Sequence, residues 1–276
     1  MSNENEEVMV ETKKTGFAAL SNDSIQKTFI VALLLCLVCS VVVSVAATAL
    51  KPQQQLNRLE DLQKNILSVA GLTDESQTIE QRFESIESRL VDLDTGEFTT
   101  ELDVEKYNQR KASKDPAQSI DLNPDQDIAS IGRRAKIGKI YLVKNNDVVT
   151  KVIIPVKGYG LWSTLYGFVA LKTDGRTIED VTFYEHNETP GLGGEVQNRG
   201  WQEGWQGKLV YDDQGKPAFT VTKGLAAQDA KYEVDGLAGA TITSDGVTNL
   251  VRFWVGENGF GPFLKKFAKN AGANNG

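Results

Sequence analysis

Hydrophobic positions along this chain fall into three regimes. From Thr28 to Leu50 the run TFIVALLLCLVCSVVVSVAATAL carries no charge and is bounded by Lys27 and Lys51, which is the length a helix needs to cross a bilayer. The following KPQQQLNRLEDLQKNILSVAGL sets Leu56, Leu59, Leu62 and Ile66 at helical spacing and stops at Gly71, predicting a helical stalk over 51–72. In SQTIEQRFESIESRLVDL, Ile79, Phe83, Ile86 and Leu90 form one apolar stripe, predicting a second amphipathic helix packed on a core.

Beyond about residue 136 the period shortens to that of strands. IGKIYLV and VVTKVIIPV flank an NND hairpin turn, and TLYGFVALK, IEDVTFYEH, GKLVYDD and AFTVTKG continue the pattern. These runs are short and turn-linked, with no helices between them, so the sheet is expected to be mainly antiparallel. A last helix is predicted in DGVTNLVRFWVG, where Val247, Leu250, Val251 and Trp254 recur at i, i+3, i+4 and i+7. The expected fold class is α+β: one N-terminal transmembrane helix, then a mainly antiparallel sheet flanked by helices. The segments are a polar tail over 1–27, the span over 28–50, the stalk over 51–72, a folded domain over 73–265 and a flexible tail over 266–276.

Composition narrows the function. A net charge of -7 excludes a nucleic-acid surface, which depends on clustered Lys and Arg. A cleaved signal peptide competes with a retained anchor, because Ala47-Thr48-Ala49 has the small residues of a cleavage site. The length of the apolar run and of the leader before it favours the anchor. Lys13, Lys14 and Lys27 before the span balance Lys51, Arg58 and Lys64 after it, so charge does not orient the chain. Both cysteines, Cys36 and Cys39, lie inside the span, either as a dithiol or cluster-ligand pair or as small apolar side chains. The rest of the chain therefore has no thiolate chemistry. His186, the only histidine, sits among Glu185, Glu188 and Glu195 at irregular spacing, and no metal site is expected. The basic run Arg133, Arg134, Lys136 and Lys139 is either a patch that docks a neighbouring protein or a solvated face.

The chemistry concentrates in DGLAGATITSDGV, from Asp235 to Val247. Thr243 or Ser244 is expected to cap the last helix, which sets Leu237, Gly239, Ala240 and Thr241 just ahead of a helix N-terminus. Free N–H groups and the helix dipole attract phosphate there, and glycines allow close approach; a plain glycine turn before a capped helix is the other reading. A second glycine loop, ETPGLGGEV, gathers Glu188, Thr189, Gly191 and Leu192 on a sharp turn that either presents a flat apolar face or is merely tight.

DGLAGAT resembles the flavinylation motif of the FMN-binding family, Asp-x-x-Ser/Thr-Gly-Ala-Thr, whose final threonine carries FMN through a phosphoester; here that residue is Thr241. Ala238 departs from the pattern, standing where the family has Ser or Thr. LWSTLYGF at Leu161–Phe168 and HNETPGLGGEV at His186–Val196 extend the likeness. With the N-terminal anchor, the chain is similar from about Asn22 to Pro262 to the NqrC family, the C subunits of sodium-translocating NADH:quinone oxidoreductases. The G subunits of Rnf electron-transport complexes share the flavin motif but are shorter and lack an insert like SIDLNPDQDIASIGRRAKIGKIYLV.

The resemblance implies an electron carrier in a bacterial inner membrane, with a cytoplasmic tail and a periplasmic flavin domain. Its implied partners are the A, B, D, E and F subunits and a flavin transferase that installs the cofactor from FAD. Electrons would arrive from an iron–sulfur centre and leave to another covalent FMN. It also implies that Thr189 and Leu192 pack on the flavin ring and that Glu188 approaches its edge. Thr243 and Ser244 would add hydroxyls near the phosphate, and Lys223 a cation. Trp162, beside Ser163 and Thr164, would either stack on the ring or fill the core. No catalytic residue is expected on this chain, and no NADH site, because no strand leads through a glycine fingerprint into a crossover helix. A reading from another class is a membrane-tethered binding or assembly module without a redox role.

Overall fold

The computed structural model describes residues 24–74 and 76–274; the expected tail up to residue 23 lies outside the described residues. The chain divides into two units, Met1–Leu59 and Glu60–Gly276. In the first, the described residues are essentially the exposed length of helix α1, Ile25–Ala70, which contains the charge-free run. Among the described residues it is the one helix long and apolar enough to cross a membrane. It continues through Pro52, although a proline inside a helix removes a donor and ordinarily costs about 3 kcal/mol. It ends where Gly71 turns left-handed at φ +76°. There the Gly71 N–H donates to the Ser68 carbonyl and the Leu72 N–H to that of Leu67, a Schellman stop.

Six strands form one antiparallel sheet: β1 Ile86–Asp92, β2 Phe98–Thr99, β5 Ile137–Asn145, β6 Val148–Tyr159, β7 Thr164–Lys172 and β8 Ile178–Glu185. Their order across the sheet is β2-β1-β5-β6-β7-β8. The β5–β6 turn is Asn146-Asp147, both at positive φ (48° and 64°), the conformation a two-residue hairpin prefers. The strands are strongly apolar because both faces of the sheet are covered. On one face, Ile66, Leu67, Val69 and Ala70 at the end of α1 pack with Tyr141, Val143, Ile153, Phe168 and Ala170. The alternate residues Ile140, Leu142, Val152, Ile154, Val156 and Val169 face the main core, which includes Val247, Leu250, Val251 and Trp254 of α5, Thr241–Val255.

Helix α5 is pinned along the end of β6 at three successive turns. A Cβ on Gly246 would lie 2.4 Å from the Tyr159 carbonyl, and one on Gly158 would lie 2.4 Å from the Leu250 Cβ. Trp254 Nε1 donates to the Lys157 carbonyl at 2.7 Å. That register brings the start of α5 to the turn between β6 and β7.

Four expectations are corrected. The second amphipathic helix is only α2, Ile79–Phe83, and the rest of its stripe is strand β1. Residues four apart share a face in a strand as well as in a helix, and pairing with β5 from Ile86↔Val143 to Asp92↔Ile137 decides between them. GKLVYDD contributes only isolated bridges, and AFTVTKG only β9, Thr220–Val221, which pairs in parallel with β10, Glu233–Val234. The segment expected as a C-terminal tail is helical to Asn274 in α6, Gly261–Asn274, seated by Phe263 and Leu264 in the core. The cap of α5 is Ala240, not Thr243 or Ser244, for a reason that lies in the site. The remaining short elements are α3 Gln109–Ala112, β3 Ser119–Asp121, β4 Arg133–Ala135 and α4 Arg199–Glu203.

Candidate functional site

Three loops meet at the N-terminal end of α5. The first is the turn Gly160–Ser163, closed by the Gly160 N–H donating to the Ser163 carbonyl at 2.8 Å. The second is the glycine loop from His186 into the 3-10 turn Gly193–Gln197. The third is Asp235–Ala240, which leads directly into Thr241.

Thr241 is the first residue of α5 and is exposed. The cap residue, Ala240, offers no side-chain hydrogen bond, and the first helical bond is the Ser244 N–H to the Ala240 carbonyl at 3.0 Å. Among the described residues, the N–H groups of Thr241, Ile242 and Thr243 therefore have no acceptor. Uncapped N–H groups at the positive end of a helix dipole form an anion site. Gly239, at φ +71°, turns the chain into the helix, and a Cβ there would meet Leu192 Cδ2 at 2.9 Å. The glycine loop and the threonine loop thus touch through Leu192.

The hydroxyls expected beside the phosphate are used inside the protein. Thr243 is fully buried and donates to Glu188 Oε2 at 2.7 Å. Ser244 Oγ accepts the Leu237 N–H at 3.1 Å, and Leu237 itself is buried in the core. These inward bonds explain why neither residue caps the helix. Glu188 is buried, and its carboxylate also accepts the N–H groups of Leu161, Trp162 and Ser163. Burial alone would raise its pKa; the bonds from Thr243, Trp162, Leu161 and Ser163 outweigh it and hold the carboxyl below the usual glutamate range.

Trp162 is 64% exposed, which removes the core-filling alternative. Leu192 (43%) and Ile242 (57%) are also exposed, so apolar surface borders Thr241. Ser163 Oγ accepts the Asn187 N–H at 2.8 Å and ties two of the loops together, while Thr164 starts β7 opposite Tyr159. The Thr189 carbonyl accepts the N–H groups of Leu192 and Gly194, and Gly191 turns at φ +76°, where a Cβ would meet nothing within 4 Å. Lys223 is exposed on the segment whose Gly224 carbonyl accepts the Gly236 N–H at 2.7 Å. Asp235 fixes that segment by accepting the Ala226 N–H at 2.8 Å.

Sequence reading overlooked Gly160 and Ile242, and placed Gly193 in the glycine loop without its role; a Cβ at Gly160 or Gly193 would lie 2.7 or 2.8 Å from a Glu188 oxygen. The glycines flanking LWS and GEV were the available signal. His186 Nδ1 accepts the Glu188 N–H at 3.1 Å, so its ring serves the loop. Among the described residues, no group of three or more His, Cys, Asp or Glu could hold a metal ion. The basic run does not form one surface: Lys136 is exposed, Arg133 and Lys139 are half-buried, and Arg134 is turned inward. Arg134 is buried and pairs with Asp94, and Arg133 pairs with Asp121. The ammonium groups of Lys136 and Lys139 donate to the carbonyls of Ala117 and Val104.

An exposed hydroxyl, free helix N–H groups and flanking apolar surface suit a phosphate-bearing planar cofactor, and known proteins point the same way. Residues 160–256 match the model of the FMN-binding domain family. The C subunit of the Na(+)-translocating NADH-quinone reductase of Yersinia pestis is 51% identical over 256 residues, covering 91% of this chain and 96% of that protein. The corresponding C subunit from Vibrio anguillarum is 51% identical over 90% of this chain and 97% of its own. Among solved structures, NqrC of Shewanella oneidensis superposes with a TM-score of 0.71 at 34% identity, covering 76% of this chain and 97% of that one. These relatives favour the NqrC resemblance over the Rnf one.

Proposed function

The chain belongs to the NqrC family, the C subunits of Na(+)-translocating NADH-quinone reductases, and from that premise we propose that it carries FMN esterified through its phosphate to Thr241 and relays electrons between other subunits of the complex. The observation that carries this reading is the exposed Thr241 hydroxyl at the first position of a helix with no side-chain cap. Attachment from FAD would form the Thr241 Oγ1–phosphorus bond and break the bond to AMP, with a flavin transferase as the catalyst. Bound FMN supplies the electron-transfer chemistry.

The chain's own residues bind and orient. The N–H groups of Thr241, Ile242 and Thr243 would hold the ester phosphate, and Lys223 would supply a cation to it. Leu192, Thr189 and Gly191 of the glycine loop, and Trp162 beside Ser163 and Thr164, would hold the ring. Exposed apolar side chains such as Leu192 and Ile242 would exclude water from a bound ring. The tether keeps a carrier from dissociating between turnovers. Helix α1 anchors the domain once in a bacterial inner membrane, with the flavin on the periplasmic side. The A, B, D, E and F subunits supply the other redox centres and the NADH site.

The test is to coexpress the full chain with a flavin transferase, denature it in acid, and look for flavin fluorescence on the separated band. Fluorescence is expected in the unsubstituted protein and absent from Thr241→Ala. A colourless unsubstituted protein would favour the binding-module reading.

A further inference from the structure

Among the described residues, Glu188 is an anion held by backbone and hydroxyl donors with no ion-pair partner. It is 5% exposed. Oε1 accepts the N–H groups of Leu161 at 3.1 Å, Trp162 at 2.9 Å and Ser163 at 3.3 Å. Oε2 takes the Thr243 hydroxyl at 2.7 Å and shares the Leu161 N–H at 3.2 Å. Three successive N–H groups converging on one carboxylate make a backbone anion nest. A carboxylate that accepts several such bonds remains ionised at neutral pH.

The carboxylate joins parts of the chain that are distant in sequence. The nest is the Gly160–Ser163 turn, Glu188 belongs to the glycine loop, and Thr243 lies in the first turn of α5, two residues after Thr241. The packing leaves the carboxylate little room to shift. A Cβ at Gly160 would lie 2.7 Å from Oε1, and one at Gly193 would lie 2.8 Å from Oε2 and 2.6 Å from Thr243 Oγ1. Both positions need glycine for the carboxylate to sit where it does.

We infer that Glu188 is a positioning residue whose carboxylate clamps the Leu161–Ser163 turn to the first turn of α5, fixing Trp162 relative to Thr241. This role rests on the reading that FMN is held on Thr241, and it replaces direct approach of Glu188 to the ring edge. The acceptor capacity of the carboxylate goes to four donors of the protein itself. The clamp also leaves a fixed negative charge within one helical turn of the attachment point. A nearby anion disfavours the uptake of electrons, so neutralising it makes the attached flavin easier to reduce.

Two sets of variants test this in the full chain. In the flavin-free Thr241→Ala background, Glu188→Gln is expected to speed amide hydrogen exchange at Leu161, Trp162 and Ser163 by roughly tenfold or more, because charge-assisted acceptance is lost. In the flavin-loaded protein the same substitution is expected to raise the reduction potential. Thr243→Val, which removes only the hydroxyl arm, is expected to change the visible circular dichroism of the bound flavin, and Thr243→Ser to restore it; this pair carries the test if Glu188→Gln does not fold. Unchanged exchange at the three amides, or Thr243→Val indistinguishable from Thr243→Ser, overturns the clamp. Failure of the flavin reading is seen separately, as unsubstituted protein without flavin on Thr241, and leaves the exchange measurement in the flavin-free background valid.

Discussion

Gly246, in the second turn of α5, rests on the backbone of Tyr159 so closely that a Cβ would lie 2.4 Å from the Tyr159 carbonyl oxygen and 3.1 Å from the Gly160 Cα. Alanine in place of a helical glycine ordinarily stabilises by about 1 kcal/mol. Here overpacking against a backbone opposes it at a cost of about 1–3 kcal/mol. Gly246→Ala is therefore expected to lower the melting temperature of the detergent-solubilised chain. An unchanged or raised melting temperature would mean that α5 is not seated on β6 as described.

Thr241 makes the opposite case. Its side chain is exposed and has no hydrogen-bond partner among the described residues, so Thr241→Ala should change stability by no more than about 0.5 kcal/mol. Covalent flavin should nevertheless vanish. Urea titration and in-gel flavin fluorescence on the same preparation separate the two effects.

Gly239 holds φ +71°, and a Cβ there would press on Leu192 at 2.9 Å. A non-glycine residue forced into that region costs on the order of 1–3 kcal/mol, and Leu192 must move. Gly239→Ala is expected to leave the protein folded but to reduce the fraction that carries flavin, read by intact-protein mass. Full occupancy would show that the turn geometry is not needed for attachment.

The Glu188 carboxyl is held below its ordinary range in the folded protein. A depressed carboxylate pKa contributes stability above the unfolded value, and the contribution is lost as pH falls through the folded one. Protection of the Leu161, Trp162 and Ser163 amides, corrected for intrinsic rate, should persist from neutral pH down to the ordinary glutamate range and collapse below it. Groups facing Glu188 are the Thr243 hydroxyl, Gly160, Gly193 and the ring of His186, whose Nδ1 accepts the Glu188 N–H. A His186→Gln control removes the ring that accepts the Glu188 N–H and leaves the carboxylate in place. Collapse at neutral pH in that control would assign the protection to His186.

The sequence showed the sheet more readily than the site. Runs such as TLYGFVALK were legible because both faces of the sheet are buried, and Asn146-Asp147 marked its own turn by residue type. Strand β1 was hidden because Ile86 and Leu90, four apart, satisfy helix and strand alike, and only the partner strand β5 decides. Thr243 and Ser244 have the chemistry of helix caps, but Glu188, 55 residues away, and the Leu237 amide draw their hydroxyls inward. The cap position falls to alanine, which leaves the first-turn N–H groups free. Arg134 looked like part of a surface patch until its partner, 40 residues upstream, was seen to be Asp94. What stayed illegible were long-range polar partners, which no local pattern encodes.

The most direct measurement is a fragment-ion mass spectrum of the peptide from Lys231 to Arg252, taken from protein isolated from its native membrane. The account predicts that this peptide carries the added mass of one FMN less water, with the fragments placing it on Thr241. A bare peptide, or an adduct on any other residue, would contradict it.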